Sequence, residues 1–271
     1  MTELDLSTFN AVVVNSSGGK DSQTALRAVI YKWTAIGGSL DRVLVSHQCL
    51  GKAEWDGTLD LARRQAEHYS VDFVVSKRRR ADGVEETLLD YVRRRKKWPD
   101  NKNRYCTSDF KRGPGARVVT KFAASLRAEG IKRPRILNVF GFRAAESPAR
   151  QKKPVFAINP RLTNKRKEVY DWLPIHEWSD DQVWEDIRSS GVPYHPAYDL
   201  GMPRLSCRFC IFAPKAALMI SGRANPELLQ EYVDVEREIG HTFTAKMSLA
   251  SIQQAIQAGE QPEAMDGNWN M

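Results

Sequence analysis

Three β-branched residues, Val12, Val13 and Val14, run directly into Asn15-Ser16-Ser17-Gly18-Gly19-Lys20-Asp21-Ser22. Beyond that turn Ala25, Leu26, Val29, Ile30 and Trp33 recur at helical spacing. Strand, glycine-rich turn and amphipathic helix in this order make a βα unit. The paired glycines let backbone N–H groups point inward, and the helix N-terminus adds partial positive charge, so the turn is an anion cradle. The alternative is an ordinary strand-to-helix turn. A Walker A loop is excluded. Its first glycine would fall at Val14, and Ser or Thr would have to stand where Asp21 does.

The pattern repeats along the chain. Strands are expected at 11–15, 42–47, 71–75 and 135–140. Helices are expected at 22–34, around Leu59–Tyr69, around Leu88–Val92 and at 116–128. Strands alternating with helices predict an α/β fold with a parallel twisted sheet. Ligands of such sheets bind at the carboxyl ends of the strands. That puts the loop at 16–22 and the segment 46–55 on one rim. It also aims Arg143 and Arg150, in the segment after the fourth strand, toward the same site. Guanidinium forks suit phosphate or sulfate; the alternative is a pair of surface arginines. From 160 the character changes. Ser179 reads as the N-cap of a helix carrying Val183, Trp184 and Ile187, and Leu228 to Ile239 is helical. The expected division is a nucleotide-binding α/β domain over 1–160, a small, mainly helical region with a Cys-x-x-Cys pair over 161–258, and a flexible tail over 259–271.

Four cysteines, Cys49, Cys106, Cys207 and Cys210, are too few to staple a chain of 271 residues. Cys-x-x-Cys plus a distant cysteine points instead to a metal, a cluster or redox chemistry in a reducing compartment. No apolar run approaches membrane-spanning length and residues 1–10 carry no signal-peptide pattern, so a cytoplasmic protein is expected. The net charge of +8 favours a polyanionic partner. Two basic runs stand out, Lys77-Arg78-Arg79-Arg80 and Arg93-Arg94-Arg95-Lys96-Lys97, with Trp98 and Tyr105 beside the second. One reading is a nucleic-acid face made by Arg94, Arg95, Lys96, Lys97, Lys111 and Arg112, with the aromatics stacking on bases. The other is a solvated helical face with the aromatics in the core.

Several motifs then agree. The loop at 17–22, Gly141-x-Arg143-x-x-Glu146-Ser147-x-x-Arg150, Trp178-x-x-x-x-Val183-Trp184, Pro193-x-x-Pro196-x-Tyr198-x-x-Gly201-x-x-Arg204 and Cys207-x-x-Cys210 occur in that order. Over about residues 10–240 the pattern resembles the phosphoadenosine phosphosulfate (PAPS) reductase family of adenine-nucleotide α-hydrolase-like proteins, whose phosphate loop is the PP-loop. With Cys106 upstream of the Cys207/Cys210 pair, the chain is similar to the branch that acts as ATP pyrophosphatase in DNA phosphorothioation.

The resemblance implies a Rossmann-like (HUP-like) sheet with helices on both faces, and cleavage of ATP to AMP and pyrophosphate. The loop amides and Lys20 would hold phosphates, Asp21 would support Mg²⁺, and Ser22 would cap the helix and bond phosphate. Nucleotide binding would fall to Ser17, Gly18, Gly19, Lys20, Asp21, Ser22, Ser46, His47, Gly141, Arg143 and Arg150, and catalysis to Lys20, Asp21 and Arg143. An acceptor, with DNA backbone phosphate favoured, would be adenylated. Sulfur delivered as persulfide by a cysteine desulfurase, alongside other sulfur-modification proteins, would then displace AMP. Cys106, Cys207 and Cys210 would hold a 4Fe–4S cluster with one iron open. Zinc with a histidine such as His195, or no metal, are the alternatives, and Cys49 is either a fourth ligand or structural.

The sequence departs from PAPS reductases in ending Asp-Gly-Asn-Trp-Asn-Met without the Glu-Cys-Gly-Leu-His motif, which argues against a sulfonucleotide reductase. Thiolation of tRNA and a non-catalytic nucleotide- or nucleic-acid-binding module remain as other readings. The oligomeric state stays open.

Overall fold

The computed structural model describes residues 4–265. In chain order the elements are β1 (Ala11–Ser16), α1 (Lys20–Ala35), β2 (Val43–Gln48), α2 (Thr58–His68), β3 (Asp72–Ser76), α3 (Leu88–Arg95) and the short α4 (Tyr105–Thr107). A wide turn at Ser108–Arg112 leads into α5 (Gly113–Ala128). Then follow β4 (Arg135–Phe140), α6 (Pro148–Gln151), β5 (Phe156–Ile158), β6 (Glu168–Trp172), α7 (Asp180–Ser190), α8 (Lys215–Ala224), α9 (Pro226–Ile239) and α10 (Leu249–Gln257).

The chain divides into two compact units, each assembled from separate stretches. The first contains residues up to Gln48, Gly57–Ser76 and Gly113–His195. It holds the whole sheet, in the order β3-β2-β1-β4-β6-β5, parallel except for the antiparallel edge strand β5. Strand alternation decides which helices cover which face. Val12, Val14, Val45, Leu137 and Val139 point to one side, where Leu26 and Val29 of α1, Ala66 of α2, and Val183 and Ile187 of α7 cover them. Ala11, Val13, Ile136 and Val169 point to the other, beneath Val119, Ala123 and Leu126 of α5. This is the doubly covered, mostly parallel sheet expected from the alternation of strands and helices.

The second unit contains Cys49–Asp56, Lys77–Arg112 and the chain from Pro196 onward. Its core joins Leu89 and Val92 of α3, Leu218 and Met219 of α8, Leu229, Tyr232 and Val233 of α9, and Leu249 and Ile252 of α10.

A boundary at 160 cuts through the sheet, because β6 lies beyond it and pairs with β4 along Arg135–Val139. Of the expected tail, 259–265 carry no helix or strand, but Glu260 pairs with Lys215; 266–271 lie outside the described residues. Among the described residues no helix is long and apolar enough to cross a membrane.

Candidate functional site

The sheet order places a switch point between β1 and β4. From β1 the chain winds outward through β2 and β3, then returns to β4 on the opposite side of β1. Crevices at such points are where ligands of these folds bind. The loop after β1 opens here. Gly18 sits at φ +72, and a Cβ on it would come within 2.9 Å of the Thr58 carbonyl oxygen, so glycine is required on both counts. The loop is held by its own serines. Ser16 Oγ accepts from the Gly18 N–H (3.2 Å), Ser22 Oγ accepts from the Ser17 N–H (3.2 Å), and the Ser22 hydroxyl donates to the Gly19 carbonyl (2.9 Å). Helix α1 starts at Lys20 with Gly19 as its N-cap and no side-chain cap. Its first-turn amides are therefore suited to an anion.

Gly141, just past β4, is pressed against this turn. A Cβ there would lie 2.4 Å from the Asp21 carbonyl oxygen and 2.9 Å from the Ser22 nitrogen. That close approach delivers Arg143 to the loop. Arg143 Nε donates to Asp21 Oδ1 (2.6 Å) and Nη2 donates to Asp180 Oδ1 (2.7 Å). Lys20 Nζ donates to the same Asp180 oxygen (2.7 Å) and lies 3.3 Å from Asp21 Oδ1. Two cations and two carboxylates thus form a formally neutral network. Burial opposes charge on Arg143, but Asp21 and Asp180 outweigh it and hold the guanidinium above its ordinary value. Burial would likewise raise the Asp180 carboxyl, but its hydrogen bond to Lys20 and the charges of Lys20 and Arg143 hold it below the usual range. Of the three expected catalytic residues, Lys20, Asp21 and Arg143 all meet here. Asp180 was not anticipated. The available signal was its place directly after the N-cap Ser179, within the Trp178–Trp184 motif.

The remaining expected nucleotide residues have the following partners. Ser46 and His47 of β2 pair in register with Asn15 and Ser16. The Ser46 hydroxyl accepts from Gln48 Nε2 (2.8 Å), and His47 Nδ1 lies 3.0 Å from the Ser16 carbonyl oxygen. Arg150 pairs with Glu146 and stacks on Phe142, 4.4 Å from the ring centroid.

In the second unit Cys106, Cys207 and Cys210 all pack on the same apolar core. Arg208, between the last two, is buried and pins the loop. Its N–H donates to the Ala53 carbonyl (2.9 Å), and its guanidinium bonds Asn225 Oδ1 (2.5 Å), the Glu54 carbonyl and Asp56. Lys111 is exposed and interacts electrostatically with the sulfurs. The charge of Cys207 raises it above the ordinary lysine value against the effect of burial, and Cys106 and Cys210 add to this. Burial pushes the Cys207 thiol up to about 12, with Lys111 opposing. The Tyr232 ring lies 4.9 Å from that of Phe209, inside the Cys-x-x-Cys loop. Its Oη is buried and meets no hydrogen-bond partner among the described residues.

Three thiols, a lysine and an orphaned phenol fit a sulfur-rich anionic group such as a 4Fe–4S cluster, whose sulfides accept hydrogen bonds. His195, named with zinc, belongs to the first unit, with Nε2 3.2 Å from Thr58 Oγ1. Cys49 is buried and its sulfur accepts from the Gly51 N–H (3.4 Å).

All six residues of the expected nucleic-acid face are exposed, and some of them also have partners within the unit. Arg94 is paired with Glu86 (2.8 Å), and Lys97 with Asp100 (3.1 Å). Arg95 lies over Tyr105 and Tyr91, and Lys111 interacts electrostatically with the cysteines. Lys96 closes α3 in the left-handed conformation at φ 51, and Arg112 is exposed. Trp98 and Tyr105 are core residues, not stacking platforms. Trp98 Nε1 donates to the His241 carbonyl (3.0 Å), and Tyr105 Oη to the Lys97 carbonyl (2.7 Å).

Residues 11–213 match the phosphoadenosine phosphosulfate reductase domain. An uncharacterized protein of Methanocaldococcus jannaschii is 26% identical over 193 residues, 69% of this chain and 40% of that protein. The PAPS reductase of Xanthomonas euvesicatoria pv. vesicatoria is 33% identical over 61 residues, 22% of each chain. This chain thus spans about two fifths of the M. jannaschii protein. The crystal structure of the PAPS reductase of Candida auris, a phosphate complex, superimposes with a TM-score of 0.47 at 18% identity, covering 74% of this chain and 83% of that one. With the family domain matching from β1 to the cysteine loop, the chain belongs to the phosphoadenosine phosphosulfate reductase domain family.

Proposed function

We propose that this chain is an ATP pyrophosphatase that adenylates an acceptor for sulfur transfer, with a DNA backbone phosphate as the acceptor. The observation that carries this reading is the convergence of Lys20 and Arg143, both buried, on the glycine loop at the switch point. Two fixed cations beside the amide-rich start of a helix suit the negative charge that develops on a departing pyrophosphate. Loop amides at 17–20 would cradle the β- and γ-phosphates, Lys20 and Arg143 would take their oxygens, and an acceptor oxygen would attack the α-phosphorus in line. Asp21 would hold Mg²⁺, which would neutralise phosphate charge when bound. A cluster held by Cys106, Cys207 and Cys210 would supply an iron open to a sulfur ligand. Lys111 and Tyr232 would then offer a cation and a hydrogen-bond donor beside it.

The acceptor is tested with ³⁵S-cysteine, a cysteine desulfurase, ATP, a thiol reductant to release the transferred persulfide sulfur, and either DNA or tRNA. Nuclease-resistant label in DNA supports the reading, and label in tRNA alone replaces DNA with tRNA as acceptor. Anaerobically purified protein is expected to absorb in the visible blue, and Cys207→Ser to lose that band. A colourless wild type, or an unchanged band in the variant, would remove the cluster from the account. The local similarity to PAPS reductases favours a second reading, sulfonucleotide reduction. Thiol-dependent release of sulfite from PAPS would establish it.

A further inference from the structure

One carboxylate oxygen, Asp180 Oδ1, accepts from both Lys20 Nζ and Arg143 Nη2 at 2.7 Å. The two cations are buried, with side chains 3% and 4% exposed, whereas that of Asp180 is 55% exposed. An oxygen shared by two buried cations marks where an anionic ligand oxygen would sit. Asp180 itself is not needed to hold α7. The helix start is fixed by the reciprocal bonds of Ser179 and Gln182. Its body is tied to α1 by the Arg27–Asp186 ion pair (3.2 Å) and the Arg27 bond to Ser189 Oγ (2.8 Å), and the turn after it by the Gln23 bond to the Val192 carbonyl (3.0 Å). The carboxylate is therefore free to swing into solvent on its own two torsions while the backbone stays in place.

We propose that Asp180 is an internal, displaceable anion that occupies the phosphate position and makes the site selective for linked phosphates. This rests on the reading of the loop as a phosphate site and adds how that site chooses among anions. A single phosphate exchanges one anion for another with little net gain. A diphosphate or triphosphate takes the Asp180 position with one oxygen and reaches the loop amides with others, so it outcompetes the carboxylate. Once displaced, the exposed Asp180 is hydrated at small cost. With Asp180 in place the network is neutral; without it the site carries a net positive charge.

The test is calorimetric titration of the full chain with inorganic pyrophosphate and with inorganic phosphate, both without divalent metal. Asp180→Asn and Asp180→Ala are each expected to tighten pyrophosphate binding about tenfold and phosphate binding by more, so that the preference for pyrophosphate narrows; equal tightening of the two would overturn the claim of selectivity. Asp180→Glu is expected to keep wild-type affinity, and so is Asp181→Asn, a neighbour outside the network. Unchanged or weaker pyrophosphate binding in both neutral variants overturns the proposal. ATP cleavage is scored separately. Tighter pyrophosphate binding without any cleavage of ATP would sink the pyrophosphatase reading alone. Cleavage with unchanged pyrophosphate affinity would sink this one alone.

Discussion

Alanine at position 141 is expected to abolish pyrophosphate and ATP binding and to lower stability by about 1–3 kcal/mol, the usual cost of forcing a methyl into a packed site. The added Cβ would meet the Asp21 carbonyl oxygen at 2.4 Å and its carbonyl carbon at 2.6 Å. Both are backbone atoms in the first turn of α1, so no side chain can rotate away. Either β4 slides outward, taking Arg143 from Asp21, or the helix start moves and the loop loses its shape. Both routes break the 2.6 Å contact that holds the network together. Thermal unfolding and calorimetry with pyrophosphate read the two effects separately. A Gly141→Ala protein with wild-type affinity would show that Arg143 and the loop are not coupled through this contact.

Lys20→Met is expected to lower kcat by at least about 10²–10³-fold, the scale for removing one charge-stabilising donor from an active site. Methionine keeps the length and the burial but removes the only ammonium in the network. Asp21 and Asp180 are then left facing a single guanidinium. The carboxyl of Asp180 should rise, since the hydrogen bond and charge of Lys20 are the leading influences that depress it. Because its folded value is depressed in the wild type, Asp180 stabilises the fold above the ordinary carboxylate range, and that contribution is lost as pH falls through the folded value. Lys20→Met should therefore lose stability near neutrality and show a flatter loss on acidification below about pH 4. The kinetic effect should fall on kcat more than on KM if Lys20 acts on the departing pyrophosphate. A variant with raised KM and unchanged kcat would reduce Lys20 to a ground-state binding group.

Much of this was legible in the sequence for a specific reason. Strands β1, β2 and β4 are central and buried on both faces, so they read as near-continuous apolar runs. The loop carries its own punctuation in Gly18 and Gly19. Strand β6 escaped because Glu168, Tyr170 and Asp171 interrupt its apolar character, and β5 because three residues at an edge carry little pattern. Asp180 was invisible as a partner of Lys20 because 160 residues separate them, and only the packing of α7 on α1 joins them. Arg150 was placed at the site by the strand-end rule, which fixes a neighbourhood but not a partner, and so gave no sign of its ion pair with Glu146, four residues away. The ion pairs within the basic runs stayed hidden for a related reason. A run of cations does not disclose the acids that answer it. Glu86, a single buried residue, takes both Arg78 and Arg94. The same limit hid the electrostatic link between Lys111 and the cysteines.

The most direct test of the central claim is the fate of ATP labelled at the α-phosphate, incubated with the full chain, Mg²⁺, acceptor DNA and a cysteine desulfurase. Label is expected in AMP, with equimolar pyrophosphate, and both are expected to be lost in Lys20→Met. Label in ADP with release of inorganic phosphate, or unconsumed ATP under these conditions, would contradict it.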